Sequence, residues 1–157
     1  MKAVTIVHDL VVAMLAGGLA TASVAAFILF DRAPSKEIAG QIGQTIFEIV
    51  GRGTFALALV LLACRLILAR GDDPRVKRRA AMVMTALIVV VAAVIALWVT
   101  PALGEIWREG RHAEDGSGLA GADKEAFMAR HGLGSAGYLV LILTSMGLIA
   151  MRAVDRA

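Results

Sequence analysis

Residues Ala80 to Gly104 run for twenty-five positions without a charged side chain. Few folds accept such a run. At about 1.5 Å per helical residue it more than covers a hydrocarbon core about 30 Å thick. Three further apolar stretches accompany it. Leu10 to Phe30 gives twenty-one uncharged residues and Gly132 to Met151 gives twenty. A broader run covers about Phe47 to Ala69, with a clean part from Gly53 to Cys64. Backbone amides in lipid need internal partners, so each run is expected to be a helix, even through the β-branched Ile88-Val89-Val90-Val91.

The expectation is an all-α integral membrane protein, a four-helix up-down bundle forming one domain over residues 1–157. Its spans are about 10–30, 47–69, 80–104 and 132–151, and its largest outer loop is 105–131. The chain is 59% hydrophobic, with a mean hydropathy of +0.77. Ala20-Thr21-Ala22 resembles a signal-peptidase site, but the apolar run continues to Phe30, so the segment is expected to stay as a helix.

A net charge of +3 and a pI near 9.5 do not indicate nucleic-acid binding here. The basic residues flank apolar runs, and neither zinc-finger spacing nor an RNP-like aromatic motif is present. Residues 65–79 hold Arg65, Arg70, Arg75, Lys77, Arg78 and Arg79 against Asp72 and Asp73. Residues 105–131 hold four basic and six acidic side chains. The positive-inside rule then places the middle loop and both termini in the cytoplasm, with Arg65 snorkelling to that interface. A bacterial inner membrane is the expected location.

The connections also carry signals. Pro34 and Ser35 suggest a turn, followed by an amphipathic lead-in from Glu37 to Glu48. Asp72-Asp73-Pro74 reads as a turn and helix start, and Asp123 as the N-cap of the last helix. The third helix is expected to continue past Pro101 through Ile106-Trp107-Arg108. Gly18, Ala22 and Ala26 form a small-residue stripe, and Gly134, Ser135, Gly137, Ser145 and Gly147 supply small residues to the last helix. Cys64, the single cysteine, excludes an intramolecular disulfide and reads as a small buried hydrophobe.

Ionisable and soft side chains beside the spans are the candidates for chemistry. His8 lies at the inner end, where Met82 and Met84 could approach it. Met128 and His131 lie one helical turn apart at the outer end. These five are the candidate metal ligands, and the bilayer separates His8 from His131. The simpler expectations are packing for the methionines and a hydrogen bond, for instance to Ser135, for His131. Glu48 and Arg52, four apart, are expected to pair. No GxSxG, HExxH, Walker loop or dinucleotide fingerprint is present, so no enzymatic role is expected.

Gly17-Gly18, Thr100-Pro101 followed by Arg108, and Phe127-x3-His131-x3-Ser135 carry a resemblance. The chain resembles a bacterial domain-of-unknown-function family that is similar to eukaryotic transmembrane protein 205. Through His8 ahead of an apolar run it is more distantly similar to the copper-resistance D group, some of whose members are haem-associated. The closer likeness implies no established activity. The distant one implies copper or haem, although this chain lacks that group's richer histidine pattern. The leading expectation is a non-enzymatic membrane protein without a cofactor, an accessory or structural subunit contacting lipid and other membrane subunits. Copper or haem handling and small-molecule transport are the alternatives.

Overall fold

The computed structural model describes residues 2–70, 75–113 and 118–154. Among them are five α-helices and one π-helical turn. They are α1 (Lys2–Arg32), α2 (Lys36–Leu68), α3 (Arg75–Val94), the π-turn Ile95–Val99, α4 (Thr100–Glu109) and α5 (Gly121–Val154). The segments α3, π-turn and α4 follow one another directly and act as one span. Four helices are thus long and apolar enough to cross a membrane, which marks the chain as an integral membrane protein.

Each expected apolar run falls within a longer helical segment, apart from Ala69, which is the C-cap of α2. The lead-in from Glu37 belongs to α2, whose N-cap Ser35 accepts a hydrogen bond from the Ile38 amide at 3.2 Å. As expected, the third span continues past Pro101, with α4 running to Glu109, and α5 begins at Gly121, two residues before Asp123. Asp123 is not the N-cap. It sits in the first turn of α5, where its Oδ2 accepts from the Arg111 amide at 3.0 Å. The Asp72-Asp73-Pro74 turn lies outside the described residues.

The helices form a four-cornered bundle. α1 packs on α2 and α5, while α3, the π-turn and α4 pack between α2 and α5 across from α1. One end gathers the start of α1 and the ends of α2 and α5; this is the terminal end. The distal end holds the turn 33–35, α4 and the start of α5.

The core follows steps of four and three on every span. Buried positions are His8, Val12, Leu15 and Leu19 on α1, and Thr54, Ala58, Leu61, Arg65 and Leu68 on α2. They continue as Ala81, Thr85, Ile88, Ala92 and Ile95 on the third span, and Leu141, Ser145 and Leu148 on α5. That spacing keeps one seam facing inward when helices cross at a shallow angle. Leu15, Leu61, Ile88 and Leu141, one from each span, are almost sealed and join a single apolar cluster. Large apolar residues such as Phe27, Val83, Val90 and Leu143 face outward, as lipid contact requires.

Small residues of α5 serve this packing. A Cβ on Gly134 would press on Val99, one on Gly137 on Ile95, and one on Gly147 on the tip of Met84. Pro101 explains the π-turn. Proline has no amide hydrogen and its ring crowds the carbonyl four residues back, so the preceding turn widens. Thr100 accordingly donates its amide to Ile95, five residues earlier.

Candidate functional site

The terminal end holds a polar group built from three helices. His8 on α1 is 2% exposed. Its Nδ1 lies 3.0 Å from Asp9 Oδ1, and Arg152 Nε on α5 lies 3.0 Å from the same oxygen. The carboxylate held by Arg152 accepts, which puts the proton on Nδ1 and leaves Nε2 as the other ring position. His8 Nε2 and Arg152 Nη2 are buried without a hydrogen-bond partner among the described residues. Both residues line a cavity of about 200 Å³ between α1 and α5, whose other walls include Val12, Ala13, Leu148 and Ile149.

Arg65 corrects an expectation. It does not snorkel outward but is 7% exposed, facing the bundle interior within electrostatic reach of His8. The reason is register: steps of three and four from Ala58 and Leu61 bring position 65 onto the buried seam. Among the described residues the terminal end therefore brings Arg65, Arg152, His8 and Asp9 into close quarters.

The distal end is aromatic. The His131 ring stacks on Phe127 at 5.9 Å and meets Phe47 edge-on at 6.3 Å. Phe47 also stacks on Tyr138 at 6.2 Å. Trp107 packs against Phe127 at 5.6 Å and His112 at 5.3 Å, and His112 Nε2 reaches the Trp107 carbonyl at 2.9 Å. Ring packing, not the expected bond to Ser135, holds His131. Beside these rings, Gln44, Glu48, Arg52, Thr100 and Arg108 line an open polar groove of about 400 Å³. The expected Glu48–Arg52 pair forms there, at 2.6 Å.

The distal loop closes on itself. His112 and Leu119 form an isolated antiparallel bridge, flanked by Ala113 to Gly118 and Ala120 to Arg111 backbone bonds of 2.8 Å. Gly118, at φ +101°, takes a backbone shape that other residues rarely adopt.

The five candidate ligands do not converge. His8 and His131 sit at opposite ends. Met82 and Met84 do not line the His8 cavity, and Met84 packs toward Gly147 instead. Met128 is 58% exposed, while His131 is tucked among rings. Among the described residues no three His, Cys, Asp or Glu side chains are grouped to hold a metal ion. His8 Nε2 has the ring geometry of a ligand, with a carboxylate behind it. Among the described residues the cavity adds only Asp9, apolar groups and the Arg152 guanidinium, which do not complete a copper or haem site.

Sequence reasoning singled out His8 but missed Arg65, Arg152 and Asp9 as its partners. Tyr138, whose hydroxyl is buried without a partner, was also missed, though it lies seven residues beyond His131 on the same helix face.

Residues 10–112, 103 of the 157, match the family described as Domain of unknown function (DUF4149). The chain belongs to this family. The DUF4149 match takes in most of α1, all of α2 and the third span, with the polar groove between α2 and α4. His8, Asp9 and all of α5 fall outside it, so the terminal cavity lies mostly beyond the DUF4149 region. The DUF4149 description names no activity. No curated protein and no solved structure matches the chain.

Proposed function

We propose that the chain is a small non-enzymatic integral membrane protein that serves as an accessory or structural subunit of a larger membrane complex. In this reading it sits in a bacterial inner membrane with both termini in the cytoplasm, and it needs no cofactor. The proposed likeness to transmembrane protein 205 rests on Gly17-Gly18, Thr100-Pro101 with Arg108, and Phe127-x3-His131-x3-Ser135, and the more distant one to the copper-resistance D group on His8 ahead of an apolar run.

One observation carries the subunit reading. Ala13, Gly17, Thr21 and Ala25, at steps of four, are all exposed on the outside of α1. A side chain at Gly17 or Gly18 would meet nothing within 4 Å. Thr21 satisfies its hydroxyl on the Gly17 carbonyl at 2.8 Å. Within lipid, helices associate where small residues let backbones approach, and this face is left uncovered by the chain's own bundle. The stripe read from sequence, Gly18-Ala22-Ala26, is turned from it, since Ala26 is buried inside.

Photo-crosslinkers at positions 17 and 21, and at Val90 on the outward face of α3, test this in intact membranes. The expected outcome is one heterologous membrane protein captured from positions 17 and 21 and not from 90, with capture from 21 abolished by Gly17→Leu. Equal labelling of lipid alone at all three positions would refute the subunit role.

A further inference from the structure

We propose that the cavity between α1 and α5 at the terminal end seats the phosphate headgroup of an anionic phospholipid. The inference does not rest on the subunit reading, and of the α1 face described there only Ala13 also borders this cavity. His8 Nε2 and Arg152 Nη2 are two buried polar atoms that have no partner among the described residues, and both residues line one cavity of about 200 Å³. Buried polar atoms of native proteins nearly always find a partner, so this pair marks a place for a ligand.

The chemistry of that ligand follows from the atoms. Arg152 Nη2 can only donate, so it calls for an acceptor, and guanidinium groups bind phosphate oxygens strongly. His8 Nε2 accepts from a hydroxyl when neutral and donates to an oxyanion when protonated. A phosphate next to glycerol hydroxyls meets both conditions. Among the described residues Asp9 is the one carboxylate of the wall, and its Oδ1 is already shared by His8 Nδ1 and Arg152 Nε. Arg65, buried nearby, adds positive charge.

The remaining wall decides between a free anion and a lipid. Val12, Ala13, Leu148, Ile149 and Ala153 are apolar, and Ala13, Ile149 and Ala153 are exposed on the outer face of the bundle. A soluble phosphate gains nothing from such a wall. A phospholipid lays its glycerol and upper acyl chain along it. The same end carries Arg65, Arg70, Lys77, Arg78 and Arg79, and basic pockets between membrane helices on such an end recruit anionic headgroups.

The test uses the full chain, delipidated in mild detergent and titrated separately with phosphatidylglycerol, phosphatidylcholine and inorganic phosphate. Native mass spectrometry reads the bound species. The expected result is one phosphatidylglycerol retained per chain in preference to phosphatidylcholine, undisturbed by inorganic phosphate. Arg152→Gln should lower retention about fivefold or more, the scale of one basic residue at a lipid surface. Ala153→Trp, which fills the opening and leaves every charge in place, should do the same. Lys124→Gln and Ala150→Trp, outside the cavity, should retain lipid as the parent does. Circular dichroism of each variant separates lost binding from lost fold. Equal retention of the two lipids, or retention unchanged in a folded Arg152→Gln or Ala153→Trp, would overturn the proposal. Displacement of the lipid by inorganic phosphate would overturn it too, in favour of a free-anion site.

Discussion

At the scale of single residues, the two ends of the bundle rely on different physics. Gly40 is where the Trp107 ring lands, and any Cβ there would collide with it. Gly40→Ala is therefore expected to destabilise the protein by about 1–3 kcal/mol, the usual cost of overpacking. Gly53→Ala, where a Cβ would meet open space, should leave thermal unfolding in detergent unchanged or slightly raise its midpoint. At the other end Asp9 holds both His8 and Arg152 through one oxygen. Asp9→Asn removes the charge that both need, and a cost of about 1–2 kcal/mol is expected after allowing for its partial exposure. An unchanged melting midpoint would show that this group contributes no stability. His8 could be singled out from sequence because an ionisable residue beside a span is conspicuous. Asp9 adjoins it in the sequence, but Arg65 and Arg152 could not be assigned to it, because residues 8, 65 and 152 meet only when three helices pack.

At the scale of elements, the long apolar runs were readable and their inward faces were not. A helix that is apolar on all sides gives little periodic signal, since lipid and core ask for the same residue types. Only packing shows that Leu15 faces in and Met14 faces out. The helices also outrun the apolar stretches, because charged turns at Lys36 and Lys124 interrupt the hydropathy without interrupting the helix. The π-turn could be located only through Pro101. By widening the helix before Thr100, it sets the rotation of α4 and so the seat of Trp107 over Gly40. Pro101→Ala should let the turn relax toward α-helical geometry and move that ring. In a Trp98→Phe background, Trp107 emission is expected to shift to the red in Pro101→Ala. Identical emission from the two proteins would mean that proline does not position the ring.

For the whole molecule, the arrangement separates a basic terminal end from an aromatic distal end, with a sealed apolar layer between them. That layer is built around Leu15, Leu61, Ile88 and Leu141, with Thr85 and Ser145 buried among them. The positive-inside reading gives a direct prediction: cytoplasmic reporters fused after residue 154 should be active, and those inserted at residue 118 should not. The reverse pattern would invert the proposed orientation without changing the bundle. The subunit role depends most on the uncovered small-residue face of α1, which hydropathy alone could not tell from a lipid-facing one. The intact mass of the assembly released by mild detergent tests that role most directly. The expected mass exceeds the 16.4 kDa chain by one or more larger membrane proteins, and Gly17→Leu returns it to the chain alone. A mass corresponding only to the monomer or to multiples of this chain would contradict it.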